Sequence, residues 1–462
     1  MIDRRGLFGA GFGAGTLAFA SRAMAETPPP PATMRALDAL RQGKSTVGGV
    51  LVAARGGRTA AIYAWGEASV PFQVPVTERT LFHLGSNAKE MTAIAVLQLV
   101  EAGKAALEDP IGRHVRGLPD AIARATVAQL LHQTSGVVEY GDLLPDWDRP
   151  QTRDVVLGVL KDKPPVFEPG ARWAYSNTNY LLLGWLLEDV TGLSYAELVR
   201  QRLFEPAGLP TARADAAQRI VPNRAEPYEV TAEGVRHAVR MEDGVSRAAD
   251  GGLLFSALDV APWRAALDRN RLVSAATMAR ANSPGMLNSG RLAPYGHGVF
   301  LQRTRGQRLF SHSGGVPGFI SNRMTWPDAD LSILCMVNSA SRTGVSLDSM
   351  VLTLAEGLQP GITWQGLEPR PADARTRALT ALLTRPEGEE APAGLLAEEF
   401  AGSSPAALRR VRPGTTLAPL ESWLVGDSPR QGEMTRYRVT RDDGVRDLVV
   451  GWTPDDRIYW FV

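Results

Sequence analysis

Short apolar runs and longer helical patterns alternate along the chain from about residue 34 to residue 358. Two apolar runs, at 48–53 and 60–65, are separated by glycines and predict a β-hairpin. Residues 86–102 predict a helix that ends at Gly103, a residue suited to a helix C-terminus. Apolar side chains lie on nearly every face of this helix, which is typical of a helix inside a protein.

Further helices are predicted at 126–132, 180–190 and 195–203, and later strands at 295–302, 318–326 and 331–337. Strands therefore lie at the start and the end of this unit, with helices between them. The order predicts an α+β fold in which an antiparallel sheet is flanked by helices and joined to a helical subdomain.

A Pro- and Gly-rich stretch near 360–371 predicts a domain boundary. We expect a main domain over 26–362 and a small α+β accessory domain over 370–462, cystatin-like or NTF2-like. In the second domain the pattern predicts helices at 372–383 and 395–400, followed by strands at 434–441, 445–452 and 457–462. This domain contains no histidine, cysteine or lysine.

The composition is that of an ordinary globular protein, with 44% hydrophobic and 21% charged residues among 462. A formal net charge of +1 gives no reason to expect binding to nucleic acid. The single cysteine, Cys335, lies in an apolar run and is interpreted as a buried strand residue. Metal-binding and nucleotide-binding motifs are absent, so we expect no cofactor and no metal.

The first residues resemble an export signal. Arg4 and Arg5 precede a weakly apolar stretch, and the small residues Ala23 and Ala25 offer a cleavage site. The pattern predicts a Tat-type signal peptide over 1–25, a periplasmic location in a bacterium and no stable membrane span after cleavage. An uncleaved N-terminal anchor is the alternative.

Three short motifs carry the candidate chemistry: S-x-x-K at 86–89, Y-x-N at 175–177 and H-S-G at 312–314. Each is weak alone, but their occurrence in this order is improbable by chance. Only five lysines are present in the whole chain, so a lysine is less probable in a motif by chance.

The first motif places Lys89 on the same helical face as Ser86. A serine hydroxyl needs a neighbouring base to become a nucleophile. Burial should disfavour the charged form of Lys89, which could then act as that base. The phenolate of Tyr175 is a second candidate for the base, and the choice between them stays open. The helix start would favour an oxyanion formed by attack on a carbonyl.

Each residue also has a structural interpretation. Ser86 and Asn177 could cap helices, Tyr175 could be a core aromatic residue, and His312 could be packed in a strand. His83 could act as a triad base in place of Lys89.

With these motifs the chain resembles the superfamily of serine β-lactamases and penicillin-binding proteins. The resembling branch contains class C β-lactamases, DD-peptidases, D-aminopeptidases and esterases. The resemblance implies that Ser86 is the nucleophile, Lys89 its activator and Tyr175 the general base and acid. It also implies substrate binding by Asn177, His312 and Gly314, and an oxyanion hole formed by the N–H groups of Ser86 and Gly315.

The chain departs from β-lactamases at His312, where they carry the lysine of K-T-G. A mostly neutral histidine holds a substrate carboxylate less well than lysine does. We therefore expect a periplasmic serine hydrolase that forms an acyl-enzyme with a small amide, a D-amino-acid peptide or an ester. A β-lactamase and a non-catalytic peptidoglycan- or penicillin-binding protein are the alternatives. The partner is then a small molecule or short peptide, and the oligomeric state stays open.

Overall fold

The structure is a computed structural model that describes residues 28–42, 46–144, 151–215, 219–240, 249–340, 346–385, 389, 392, 394–397, 415–441 and 444–461. The proposed signal peptide over 1–25 lies outside the described residues. None of the helices in the described ranges combines the length and the apolar character that crossing a bilayer requires.

The described helices are α1 Pro31–Arg41, α2 Lys89–Glu101, α3 Asp120–Ala123, α4 Val127–Leu131, α5 Arg153–Leu160, α6 Asn177–Thr191, α7 Tyr195–Val199, α8 Glu205–Ala207, α9 Ala257–Asp268, α10 Ala275–Ala281, α11 Leu347–Leu358 and α12 Ala374–Thr384. The described strands are β1 Gly48–Arg55, β2 Arg58–Ser69, β3 Val74–Pro75, β4 Phe82–His83, β5 Arg213–Ala214, β6 Tyr228–Thr231, β7 Gly234–His237, β8 Leu253–Phe255, β9 Gly285–Met286, β10 Leu292–Ala293, β11 Phe300–Thr304, β12 Gln307–Val316, β13 Phe319–Trp326, β14 Leu331–Val337, β15 Ser339–Ala340, β16 Thr416–Leu424, β17 Glu433–Arg441, β18 Gly444–Trp452 and β19 Ile458–Phe461.

The main sheet has seven antiparallel strands in the order β11-β12-β13-β14-β1-β2-β3. Both faces of its centre are covered. In β1, Val50 and Val52 face one apolar core, whereas Leu51 and Ala53 face another. Such two-sided burial explains why β1 reads as a continuous apolar run. The predicted antiparallel sheet with flanking helices is confirmed.

One core contains α2, α6 and α9, and the other contains α1 and α11. Helix α2 is buried almost throughout, as its apolar residues on all faces predicted. A short 3₁₀ turn over Gly85–Ala88 precedes it, so the predicted helix start at residue 86 lies inside that turn. The helix ends before Gly103, which has a φ of +66°.

The strand β12 was not predicted from the sequence. It carries the H-S-G motif and pairs with β13 over the whole of its second half, from Phe310↔Thr325 to Val316↔Phe319. Its serines and glycines lack the β-branched and aromatic side chains that mark a strand. Hydrogen bonding to β13 decides its conformation instead.

The C-terminal region is an antiparallel sheet in the order β16-β17-β18-β19, with α12 packed on it. The helix at 372–383 is confirmed by α12. The predicted helix at 395–400 is wrong over residues 395–397, because Leu396 forms a β-bridge with Ile458. Residues 398–400 lie outside the described ranges. The domain boundaries and the cystatin-like or NTF2-like assignment stay predictions.

A buried ion pair joins α2 to the main sheet. Arg323 on β13 contacts Glu90, which also accepts a hydrogen bond from Trp263 Nε1 at 2.9 Å. Burial raises the pKa of Glu90, but Arg323 and the hydrogen bonds outweigh it and leave the pKa lowered. Glu90 is therefore held as a carboxylate directly beside Lys89.

We expect Arg323→Met to lower the free energy of unfolding by about 3 to 5 kcal/mol, because it leaves the Glu90 carboxylate buried and unpaired. The matched control is Arg308→Met. Arg308 on the neighbouring strand β12 pairs with Asp328 at a solvent-exposed site, so its loss should cost about 1 kcal/mol or less. Urea denaturation at pH 7 measures both, and equal losses would contradict the interpretation.

Candidate active site

Ser86 lies in a turn that packs directly against β12. Gly85 has a φ of +53°, and a Cβ atom there would lie 2.6 Å from the backbone nitrogen of Gly315. A Cβ on Gly314 would lie 2.0 Å from the carbonyl oxygen of Leu84. Two backbones thus approach without side chains between them, which only glycine allows. A Cβ on Gly315, in contrast, would meet nothing within 4 Å, so this residue borders open space beside Ser86.

Lys89 is fully buried, and its ammonium makes three hydrogen bonds. Nζ donates to Ser86 Oγ at 3.0 Å, to Asn177 Oδ1 at 2.7 Å and to the carbonyl oxygen of Asp250 at 2.7 Å. An ammonium has three N–H donors, so every one of them is used. The predicted proximity of Lys89 to Ser86 is present in the structure.

The pKa of Lys89 is lowered to about 8, chiefly because burial disfavours the charged form. Asp250 and Glu139 act in the opposite direction. About one tenth of the molecules would therefore carry a neutral Lys89 amine at pH 7. That amine is able to accept a proton from the Ser86 hydroxyl.

Tyr175 lies near the same amine, with its ring centroid 5.1 Å from Lys89 Nζ. Its hydroxyl oxygen is buried and makes no hydrogen bond of acceptable geometry within the described residues. Burial raises the pKa of Tyr175 well above its ordinary value, and the nearby Ser86 hydroxyl offsets this only in part. The phenol form is favoured, so Tyr175 is suited to donate a proton rather than to act as a resting phenolate.

Asn177 is the first residue of α6. Its Oδ1 accepts from Lys89, which leaves the amide NH₂ group as the part that a substrate could contact. Its backbone N–H donates to Glu139 Oε2 at 2.5 Å. Asn177 thus links the buried amine to the start of a helix, and its side chain takes part in the site rather than only in capping.

His312 lies within β12, and its hydrogen bonds define its protonation state. Nδ1 lies 2.5 Å from the carbonyl oxygen of Ser313, which can only accept, so Nδ1 carries the proton. Nε2 then accepts from the Tyr295 hydroxyl at 3.0 Å. Burial, followed by the charge of Lys89, lowers the pKa of His312 to about 3. His312 is therefore a neutral imidazole at pH 7.

Two acidic residues near Lys89 were missed in the sequence. Asp250 lies directly before the G-G-L stretch at 251–253, and its Oδ2 accepts from the Tyr140 hydroxyl at 3.1 Å. Glu139 follows the L-L-H-Q-T-S-G run at 130–136 and accepts the N–H groups of Gly141 and Asn177. Burial raises the pKa of both carboxyls. Both residues lie next to stretches that resemble the family, and this could have drawn attention to them. No sequence spacing, however, indicates that either one lies near Lys89.

The other candidate residues are engaged elsewhere. His83 Nε2 bonds Asp215 at 2.8 Å, and Asp215 in turn pairs with Arg224. His83 makes no hydrogen bond to Ser86 among the described contacts, so the triad alternative has no geometric support. Cys335 is buried on β14, in agreement with its interpretation as a core residue.

Comparison with known proteins shows to which family the chain belongs. The beta-lactamase family matches residues 34–355, which is most of the chain. The chain therefore belongs to the beta-lactamase family and is a serine hydrolase of that group.

Two relatives illustrate the range of the family. Penicillin-binding protein 4* of Bacillus subtilis (strain 168) is 30% identical over 366 residues, which cover 74% of this chain and 79% of that protein. A D-aminopeptidase of Gluconobacter oxydans (strain 621H) is 29% identical over 330 residues. The match covers 67% of this chain but only 59% of the D-aminopeptidase.

Solved structures support the fold. A D-amino acid amidase from Ochrobactrum anthropi SV3, complexed with L-phenylalanine amide, has a TM-score of 0.62 at 23% identity and covers 71% of this chain and 99% of its own. The octameric penicillin-binding protein homologue from Pyrococcus abyssi has a TM-score of 0.62 at 21% identity and covers 92% of this chain and 94% of its own. At these identities the likeness concerns the fold alone.

We expect Gly85→Ala to destabilise the protein much more than Gly103→Ala. Both positions have a positive φ, which costs an alanine about 1 kcal/mol. Only at Gly85 would the new methyl group overlap another backbone, whereas nothing lies within 4 Å at Gly103. Chemical denaturation of the two variants measures the difference. Similar losses would show that the close approach of β12 is not a constraint.

Proposed function

We propose that this chain is a serine hydrolase that forms an acyl-enzyme at Ser86 and cleaves an amide or ester bond in a small substrate, with D-amino-acid amides and peptides as the preferred class. The contact of 3.0 Å between Lys89 Nζ and Ser86 Oγ, inside a buried site, carries the proposal. The partner is a small molecule or short peptide. No cofactor enters the mechanism.

Acylation starts from the neutral form of Lys89. The amine accepts the Ser86 hydroxyl proton while Oγ attacks the substrate carbonyl carbon. The raised pKa of Tyr175 favours Lys89 over Tyr175 as this base. The N–H groups of Ser86 and Gly315 are proposed to stabilise the oxyanion, because Gly315 borders open space beside Ser86.

Collapse of the tetrahedral intermediate releases the leaving group. The Tyr175 hydroxyl donates a proton to the leaving nitrogen or oxygen and is reprotonated from the Lys89 ammonium, so both groups return to their starting forms. Water then attacks the acyl-Ser86 ester, and its proton passes through the same pair to Ser86 Oγ. The acid is released, and the enzyme is regenerated.

The neutral His312 supports the substrate class. A β-lactam or a peptide with a free C-terminus presents a carboxylate, for which a lysine offers a permanent cation. His312 offers none, because its Nδ1 proton is held by Ser313 and its Nε2 accepts from Tyr295. Substrates without a carboxylate at this position, such as amides and esters, therefore fit the site better.

The relatives support the same class, since a D-aminopeptidase is among the similar proteins. A periplasmic site of action is part of the proposal. It rests on the signal-like pattern of residues 1–25, and N-terminal sequencing of the exported protein tests it.

Ser86→Ala is expected to abolish covalent labelling by a fluorophosphonate, because the acylated oxygen is removed. Intact mass spectrometry of the wild type should show one added phosphonyl group. The control is Ser283→Ala at an exposed position, which should be labelled like the wild type. Persistent labelling of Ser86→Ala would place the nucleophile elsewhere.

A substrate panel separates the proposed activity from its rivals. D-amino-acid p-nitroanilides and p-nitrophenyl esters should be turned over, with Ser86→Ala inactive. Faster steady turnover of a chromogenic cephalosporin would instead favour a β-lactamase. Ligand binding without turnover of any compound would favour a non-catalytic binding protein.

The rate of ester hydrolysis should rise with pH through about 8, because deprotonated Lys89 is the base. Between pH 7 and pH 6 the kcat/KM should fall by about tenfold, as the neutral fraction of Lys89 falls. The apparent pKa belongs to the interacting group of Lys89 and its neighbours rather than to one residue. A flat profile between pH 6 and pH 9 would rule out Lys89 as the base.

A further inference from the structure

Tyr175 lies on a segment that has no regular secondary structure. Residues 172–176 belong to neither a helix nor a strand. Their backbone is held on one side by Gln133, which accepts from the N–H of Ala174 at 3.0 Å through its carbonyl and from the N–H of Ser176 at 2.9 Å through its side chain. The orientation of Tyr175 therefore depends also on what packs against the other side of the segment.

That other side is covered by the C-terminal sheet. Trp173, two residues before Tyr175, is 3% exposed and lies with its ring centroid 4.2 Å from that of Trp460 on β19. Trp460 is itself only 2% exposed. An apolar cluster joins both parts of the chain: Trp173, Leu287, Ala293 and Tyr295 from the hydrolase part, with Ala397, Val425, Met434, Val449, Tyr459 and Trp460 from the C-terminal part.

A second set of contacts leads from Trp460 to His312. The Phe300 ring lies 6.4 Å from that of Trp460 in an edge-to-face arrangement and 5.2 Å from that of His312. Tyr295, whose hydroxyl bonds His312, packs edge-to-face on Phe300 with centroids 4.9 Å apart. The segment that carries Tyr175, through Trp173, and His312, through Phe300, are thus both linked to this one tryptophan.

The loop that leads to Tyr295 is also attached to the C-terminal region. Gln431 accepts from the N–H of Leu292 at 2.8 Å and donates to the carbonyl oxygen of Gly290 at 3.0 Å. Nearby, Arg436 on β17 is 2% exposed and donates to Gln302 Oε1 at 3.1 Å. The interface therefore combines apolar packing with directed hydrogen bonds. Together they hold the C-terminal sheet in one position relative to the hydrolase part.

We propose that Trp460 is a positioning residue of the active site: by packing on Trp173 and Phe300 it holds Tyr175 and His312 in place around Ser86. The inference rests on the proposed function, since it assigns a role relative to Tyr175 as proton donor. Trp460 does not touch the reacting atoms. The C-terminal sheet is in this view a wall of the catalytic site rather than a separate accessory module.

The physical reason is the geometry of proton transfer. A large aromatic side chain buries about 150 to 250 Å² and gives a rigid contact surface with few rotamers. A donor displaced by about 1 Å can reduce a rate by about 100-fold. A smaller residue at position 460 would leave Trp173 space to move, and Tyr175 would move with it.

The experiment compares Trp460→Leu with the matched control Trp452→Leu. Trp452 lies on the neighbouring strand β18, is fully buried and belongs to the separate cluster with α12, which contains no residue of the hydrolase part. Both variants lose the same side chain from one sheet. Only the first loses the contact with Trp173.

We expect Trp460→Leu to lower kcat for a D-amino-acid p-nitroanilide by about 10- to 100-fold, with little change in KM, because the leaving nitrogen must be protonated and the proton donor is misplaced. The rate of fluorophosphonate labelling should fall less, because fluoride leaves without needing a proton. Trp452→Leu should stay within about twofold of the wild type when assayed well below its unfolding temperature, and Trp460→Phe should recover most of the rate.

Equal losses in Trp460→Leu and Trp452→Leu would overturn the proposal, since they would show a general effect of destabilising the sheet. An unchanged kcat in Trp460→Leu would also overturn it. Both results leave labelling of Ser86 in the wild type intact, so they are distinct from a failure of the proposed function, in which the wild type itself would not be labelled at Ser86.

Discussion

The burial of one amine is the constraint on which the active site depends. Removing an ammonium from water costs several kcal/mol unless hydrogen bonds replace its hydration. The three acceptors around Lys89 come from separate parts of the chain: the turn before α2, the start of α6 and the residue that precedes the β8 region. Satisfying this amine brings the Ser86 hydroxyl and the Asn177 amide together. Burial, which the nearby carboxyls of Asp250 and Glu139 offset only in part, lowers the pKa of Lys89 to about 8.

The rest of the architecture packs closely around this arrangement. Glycines at 85 and 314 let the turn that contains Ser86 and the strand β12 meet backbone to backbone. Buried His312 replaces a cation with a neutral imidazole whose two nitrogens are already engaged. The C-terminal sheet closes the side behind Tyr175 with aromatic rings. The protonation state of His312 and the packing behind Tyr175 thus depend also on residues outside the three motifs, such as Tyr295 and Trp460.

Much of this was predictable where a local pattern has a direct physical meaning. The i, i+3 spacing of Ser86 and Lys89 fixed their proximity once residues 86–102 were expected to be helical. The apolar run of β14 at 331–337 matches the strand in the structure residue by residue. The strand β12 escaped prediction because its Ser/Gly-rich second half has no strand propensity of its own. Glu139 and Asp250 escaped because a carboxyl group beside a distant lysine leaves no periodic signal.

The amino-acid sequence by itself determined the fold class, the family and the three groups that could perform acyl transfer, because these follow from hydrophobic periodicity and from short motifs. Only the tertiary structure decided how far the pKa values of Lys89 and His312 are lowered, since burial and partners from distant segments set the extent. It also decided that the C-terminal sheet packs behind Tyr175. The physical reason is that desolvation and aromatic packing depend on which segments, far apart in sequence, come into contact in the fold. The spacing of residues along the chain does not specify those contacts.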